Sequence, residues 1–214
     1  MPEYSSVTGL EGVKFAPLKK ENGFYVATKI IDYPYAINAK VNTETSTEKQ
    51  YADNKLVDMA VTTGSTKLEL EMRDLPMEIL EELFGIEETD GIYMFKKNVI
   101  APWVAMSFYG PKANGKNRHV GLVKGRFSLP DDEWKTKEEK TDFQTVKLSA
   151  EFMEREQDNA YKVLADEDAP NFNLDKFYEK VFGNAYKNPD SGSDNKSKRR
   201  HWKDSIKGSS MLLF

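Results

Sequence analysis

Strict alternation is the feature that most narrows the folds open to this chain. Over residues 66–73, Leu68, Leu70 and Met72 take every second position, while Lys67, Glu69, Glu71 and Arg73 fill the others. Over residues 143–152, Val146, Leu148, Ala150 and Phe152 alternate with Thr145, Lys147, Ser149 and Glu151. Successive side chains of a strand point to opposite faces, so this spacing describes sheet with one dry and one wet face. Further strands are predicted at 13–18, 24–27, 33–41, 57–63, 103–109 and 120–127. Asn114-Gly115 lies between the last two, and both residues tolerate positive φ, so a hairpin is predicted there.

Two helices interrupt the strands. The first follows Asp74, with Pro76 in its opening turn, Met77, Leu80, Leu83 and Phe84 on one face, and Gly85 to stop it. The second is capped by Asn173, carries Leu174, Phe177, Tyr178, Val181 and Phe182 at helical spacing, and ends at Gly183. Phe172 lies where a hydrophobic staple would meet Phe177. The fold class is mainly β with a helical component (α+β). Residues 42–54 form a polar run between apolar strands, containing Thr43, Glu44, Thr45, Thr47, Glu48 and Tyr51. Such a run is either a long hairpin arm solvated on both faces or an extended loop. The arm reading makes these six residues candidates for contact with another subunit.

Composition excludes several chemistries. The 214 residues include no Cys, which removes disulfides, thiol catalysis and thiolate metal sites. No apolar run approaches the roughly 20 residues of a membrane helix, and Met1-Pro2-Glu3 opens neither a basic nor an apolar leader. A protein working in a soluble phase, away from membranes, is expected. Charge is unevenly spread. Residues 188–214 carry six basic side chains against Asp190, Asp194 and Asp204, so this segment is +3 and residues 1–187 are −7 within a total of −4. We divide the chain into a domain at 1–187 and a flexible basic extension at 188–214, which ends in Met211-Leu212-Leu213-Phe214.

No catalytic constellation emerges. His119 and His201 are isolated and read as surface or strand residues, not ligands. Asp131-Asp132-Glu133 and Asp166-Glu167-Asp168 each read as an acidic turn beside a proline. The Gly- and Lys-bearing stretch 110–116 leads into a strand, so it is a turn and not a phosphate cradle at a helix N-terminus. Catalytic, cofactor-binding and metal residues are expected to be absent. Residues 196–202 combine basic side chains with Trp202, which favours nucleic acid in principle, but the domain behind them is acidic.

An ordered series of short motifs runs through the chain. Gly9-Leu10-Glu11-Gly12-Val13 comes first and Tyr51-Ala52-Asp53-Asn54 follows the polar run. Leu75-Pro76-Met77-Glu78-Ile79-Leu80 and Ala101-Pro102-Trp103-Val104-Ala105 come next. The densest part is Asn114-Gly115-Lys116 with residues 120–127, closed by Lys124-Gly125-Arg126-Phe127-Ser128-Leu129-Pro130. Glu133-Trp134-Lys135-Thr136-Lys137 and Phe143-Gln144-Thr145 complete it. In that order, over residues 9–165, they resemble the major tail proteins (tail tube proteins) of long-tailed, non-contractile bacteriophages of Gram-positive hosts.

The resemblance implies a β-sandwich or partly closed barrel flanked by a helix, and a structural, non-enzymatic role. Copies would form rings of six that stack into a tube conducting DNA from capsid to host. The chain's partners would be itself, the tape measure, tail terminator and distal tail proteins, and passing DNA held without tight binding. Synthesis would be in the host cytoplasm and residence in the virion tail. Lys67, Glu69, Glu71, Arg73, Lys147 and Glu151 are then candidates for a lumen or outer surface. Acidic or balanced walls let phosphate pass, whereas basic walls hold it. A tail terminator of the same fold, or a soluble binding module, are the rival readings.

Overall fold

The computed structural model describes residues 5–131 and 145–183. β1 (Glu11–Glu21) turns through Asn22-Gly23, both at positive φ, into β2 (Phe24–Ala27). β3 (Ile31–Tyr33) ends at Pro34, and β4 (Ala36–Ala52) and β5 (Lys55–Met72) follow as one long hairpin. The expected strand at 33–41 is therefore two. Pro34 donates no ladder hydrogen bond, so β3 pairs with β1 and β4 pairs with β5. Conversely, the strands expected at 57–63 and 66–73 are one continuous β5 that ends before Arg73.

Helix α1 (Met77–Phe84) begins after Pro76 and ends at Gly85, whose φ of 69° only glycine adopts at little cost. A small hairpin, β6 (Glu87–Thr89) and β7 (Ile92–Met94), follows and had no counterpart in the predicted strands. Asp90-Gly91 at its tip carries the same hairpin signal as Asn-Gly. β8 (Trp103–Pro111) and β9 (Asn117–Ser128) pair as predicted, but only Gly115 of the Asn114-Gly115 pair has positive φ. The connection is a five-residue loop closed by Lys112 N–H to Lys116 O at 2.7 Å. β10 (Val146–Phe152) follows the alternation, while residues 143–144 lie outside the described part. β11 (Lys162–Asp166), also absent from the predicted strands, leads to α2 (Leu174–Phe182).

All ladders are antiparallel, in the order β2-β1-β8-β9-β10-β5-β4, with β3 also on β1 and β11 also on β9. The sheet does not close, and the mainly β, sandwich-like fold with a flanking helix is the one expected. Its centre is dry on both faces. On one side, Phe15, Leu68, Leu70, Met72, Met106, Leu122 and Phe152 meet α1 through Ile79, Leu80, Leu83 and Phe84. On the other, Ala16, Leu18, Tyr25 and Ala105 meet α2 through Phe177, Tyr178, Val181 and Phe182. Strands covered on both faces lose polar alternation, which is why β8 and β9 read as near-continuous buried runs.

Helix α2 is docked by polar contacts as well. Asn173 accepts from Lys176 N–H at 2.9 Å, as its capping position predicts. Phe172 reaches Phe177 through an intermediary, because its ring stacks on His119, which in turn touches Phe177. Arg155 is almost wholly buried and donates to the carbonyls of Lys180 and Val181 at the helix C-terminus, at 2.7 and 3.1 Å. A cation there complements the helix dipole. The turn 166–168 just before α2 is knitted onto the β8–β9 loop. Asp166 accepts from buried Lys112 at 2.8 Å and from Arg118 at 2.7 Å, Asp168 accepts from Lys112 and Asn114, and Glu167 accepts from Asn117 and bonds His119.

Two outcomes test this packing. A Cβ at Gly125 would meet Phe152 Cδ1 at 2.5 Å and the Glu151 carbonyl at 2.7 Å. Gly125→Ala is therefore expected to cost about 1–3 kcal/mol, read as a lower denaturant midpoint with an unchanged slope. The second outcome concerns acid. The Lys112 bond holds Asp166 well below the usual carboxylate range and does the same, less strongly, for Asp168. Burial pushes Glu167 up, but its bonds from His119 and Asn117 outweigh that and leave it lowered. Depressed carboxylates contribute stability that is present above the unfolded values of about 4 and drains away as pH falls through the folded ones. Denaturation midpoints should fall steeply below about pH 4, and Asp166→Asn should flatten that slope.

Candidate assembly surface

The β4–β5 hairpin has two parts. Up to the Thr43–Thr66 rung it belongs to the sheet: Val41 faces Leu68 and Ala39 faces Leu70 on the core side. Thr66 is fully buried, and its hydroxyl pairs with that of Thr43 at 3.0 Å. There the register shifts, because Gly64 and Ser65 stand against Glu44 alone. From Thr45 to Thr63 every residue is exposed, so the ladder continues into solvent as a free ribbon. Eight residues per strand at about 3.3 Å each give a projection of roughly 25 Å.

This ribbon contains Thr45, Thr47, Glu48 and Tyr51 of the residues singled out in 42–54, whereas Thr43 lies in the sheet and Glu44 at the ribbon's base; all six belong to one hairpin. The predicted segment covered only one strand and the turn, and residues 55–63 form the other half. Asp53 and Asn54 close it with φ of 50° and 60°, the pair of left-handed residues that a type I′ turn requires. Glu44 leaves the ribbon's base for Lys67, at 2.6 Å. Thr45 faces Thr63, Thr47 faces Val61 and Lys49 faces Met59 on one side. Ser46 with Thr62, Glu48 with Ala60 and Gln50 with Asp58 occupy the other. Near the tip, Val57 bulges out and Tyr51 pairs with Leu56. Tyr51, Leu56, Val57, Met59 and Val61 are each between 51% and 63% exposed.

The charged candidates on the domain share a second surface. The register places Lys67 beside Glu151, Glu69 beside Ser149 and Glu71 beside Lys147, all facing away from the core. β4 adds Lys40 beside Glu69, bonded at 3.1 Å, and β9 adds Arg126 beside Glu151. Arg73 does not join this row. It lies past the strand end, and its guanidinium sits over the Tyr35 ring at 5.8 Å. The four cations Lys40, Lys67, Lys147 and Arg126 are matched by Glu44, Glu69, Glu71 and Glu151. The face is balanced in charge.

That face ends at an aromatic boundary. Lys124 and Arg126, two positions apart on β9, lie on the same side of the sheet. Lys124 lies 4.5 Å from the Tyr25 ring and 4.7 Å from Trp103, and Arg126 lies 4.0 Å from Trp103. Beyond them α2 covers the sheet. The edge of β4 not paired with β5 is open along the strand.

The remaining candidates serve structure. His119 is a buried strand residue bonded to Glu167 at 2.9 Å, and Asp166-Glu167-Asp168 is the knitted turn. His201, Asp132, Glu133 and the basic segment 196–202 lie outside the described residues. No group of three or more His, Cys, Asp or Glu fit to hold a metal occurs among the described residues, and none of the helices there is long and apolar enough to cross a membrane.

A two-sided sheet with a projecting ribbon and an open, charge-balanced face defines a structural β module. The phage tail tube protein family model matches residues 18–190, so the chain belongs to that family of structural virion-tail proteins. A search of curated proteins finds no match.

The ribbon's shape depends on its turn. Placing valine at both Asp53 and Asn54 forces β-branched side chains into left-handed backbone at about 1–2 kcal/mol each. Amide exchange over 45–52 should accelerate, while residues 66–72 keep their protection.

Proposed function

We propose that this chain is the repeating subunit of a tail tube: copies associate head to tail into rings of six, rings stack, and DNA crosses the bore during ejection. The observation that carries the reading is the ribbon 45–63. A two-stranded ribbon alone in water is marginal, yet this one holds five large apolar side chains in solvent. Those side chains acquire a function if the ribbon lies on a neighbouring subunit. Heterologous contacts generate rings when the rotation closes and filaments when it does not, and an open strand edge such as that of β4 supports the same association by strand addition.

The balanced face of β4, β5, β10 and β9 is the bore wall in this reading. A wall whose cations are each answered by a carboxylate has no excess positive charge to trap phosphates through counterion release. The tape measure protein would occupy the bore before DNA, and the terminator and distal tail proteins would meet the two ends.

The test is electron microscopy of the purified protein. Long tubes are expected from the intact chain. Deleting residues 45–63 and joining Glu44 to Gly64 through Asn-Gly should leave the thermal transition nearly unchanged. Burying an apolar side chain is worth about 1.5–3 kcal/mol, so losing several should cut tube mass by roughly tenfold or more. Normal tubes from the deletion would refute the role of the ribbon. Single closed rings from the intact chain would point to the terminator instead.

A further inference from the structure

One strongly charged surface has no part in the tube reading. Between Asp74 and Phe95 the chain carries Asp74, Glu78, Glu81, Glu82, Glu87, Glu88 and Asp90, and no Lys or Arg. Apart from Asp74, which precedes the helix, these acids lie on α1 and the β6–β7 hairpin. Lys29 answers Glu82 at 3.2 Å and Lys96 answers Glu87. Glu78, Glu81, Glu88 and Asp90 have no cationic partner among the described residues. The surface is also apolar. An open cavity of about 340 Å³ is walled by Pro17, Ile86 and Pro102 together with the carboxylates Glu81, Glu82 and Glu87. Met94 stands opposite Glu87 in the hairpin and is 58% exposed. Ile100, whose carbonyl lies against Gly85, is 75% exposed.

A segment of complementary chemistry exists in the same chain. Residues 196–207 contain Lys196, Lys198, Arg199, Arg200, Lys203 and Lys207 with Asp204 the only acid, and Met211-Leu212-Leu213-Phe214 follow. The chain's exit favours its own surface. Gly183, the last described residue, packs on β2, where a Cβ would lie 3.2 Å from Val26 Cγ1. Lys29, just beyond that strand, already touches Glu82 of α1. Residues 184–195 span up to roughly 40 Å when extended, enough to carry the basic stretch across to α1. We propose that residues 196–214 dock on the α1–β6–β7 face of their own chain. The basic side chains pair with the uncompensated carboxylates, and the apolar tip covers the Ile86–Pro102 cavity and Met94. This contact does not depend on whether the chain polymerises.

Because the chain has no Cys, a single nitroxide can be placed by Leu212→Cys on the full-length protein. In one sample the ¹⁵N-labelled chain carries the nitroxide and is diluted into unlabelled, unmodified chain. In the other, a ¹⁵N-labelled chain without nitroxide is mixed with an unlabelled spin-labelled one. The expected result is selective broadening of amides 81–87 and 92–94 in the first sample only. It should weaken several-fold at high salt, since exposed pairs are screened, and also in the Glu78→Gln/Glu81→Gln/Glu88→Gln variant. That variant alters exposed or half-exposed groups, and an unchanged amide spectrum elsewhere verifies its fold. Broadening confined to the second sample would assign the segment to a neighbouring copy and overturn the proposal. Broadening at another face, or none that is localised, would overturn it as well.

Discussion

The architecture rests on the way β9 divides its free edge. One edge of this strand is taken by β8. The other is shared, with β11 along residues 118–122 and β10 along 125–128. At β11 the sheet turns its outer face to α2, and a Cβ at Gly121 would lie 2.2 Å from Val181 Cγ2, so only glycine lets the helix approach this closely. At β10 the sheet runs on through β5 to β4 with its outer face open. One sheet therefore carries a covered half and a bare half, and the ribbon grows from the bare half.

The two halves treat charge differently for one physical reason. On the covered half, cations are withdrawn from water and each is held by geometry: Lys112 between two carboxylates, Arg155 between Asp158 and two helix carbonyls, Lys124 between two aromatic rings. An uncompensated ion there would be costly. On the bare half the ions stay hydrated, and each surface pair is worth little on its own. Their arrangement affects the surface potential more than stability. In the proposed tube, balance on this face bears on what can pass along it, whereas the buried set keeps α2 in place.

Much of this was legible in the residues because one-sided burial leaves a period. The alternation in 66–73 and 146–152 and the helical spacing of 174–182 each survive into the structure. The misses have physical causes. Strands β6, β7 and β11 are three to five residues long, too short to show a period. The break at Pro34 was visible as a proline but was outweighed by the flanking Tyr, Ile and Val. In the ribbon, both faces are wet and alternation carries no burial signal, so its outgoing strand read as a polar run and its return as an ordinary strand. The balanced face was recognised as charged, but the pairing of Lys67 with Glu151 and of Lys40 with Glu69 required the register. The role of Asp166-Glu167-Asp168 was hidden because its partners lie about 50 residues away, in the β8–β9 loop.

The open edge of β4 and the ribbon are a single problem with a single remedy. A long strand with a bare edge invites pairing with any other chain, and native proteins blunt such edges with proline, charge or short length. Here no proline falls between Ala36 and Ala52, the strand is 17 residues long, and it carries only the charges Lys40, Glu44, Glu48 and Lys49, two of each sign. So few charges leave most of the edge free to pair. The edge is left open because, in the proposed ring, the neighbour closes it. The ribbon's Val61, Met59 and Leu56 then supply the apolar burial that backbone pairing alone does not provide.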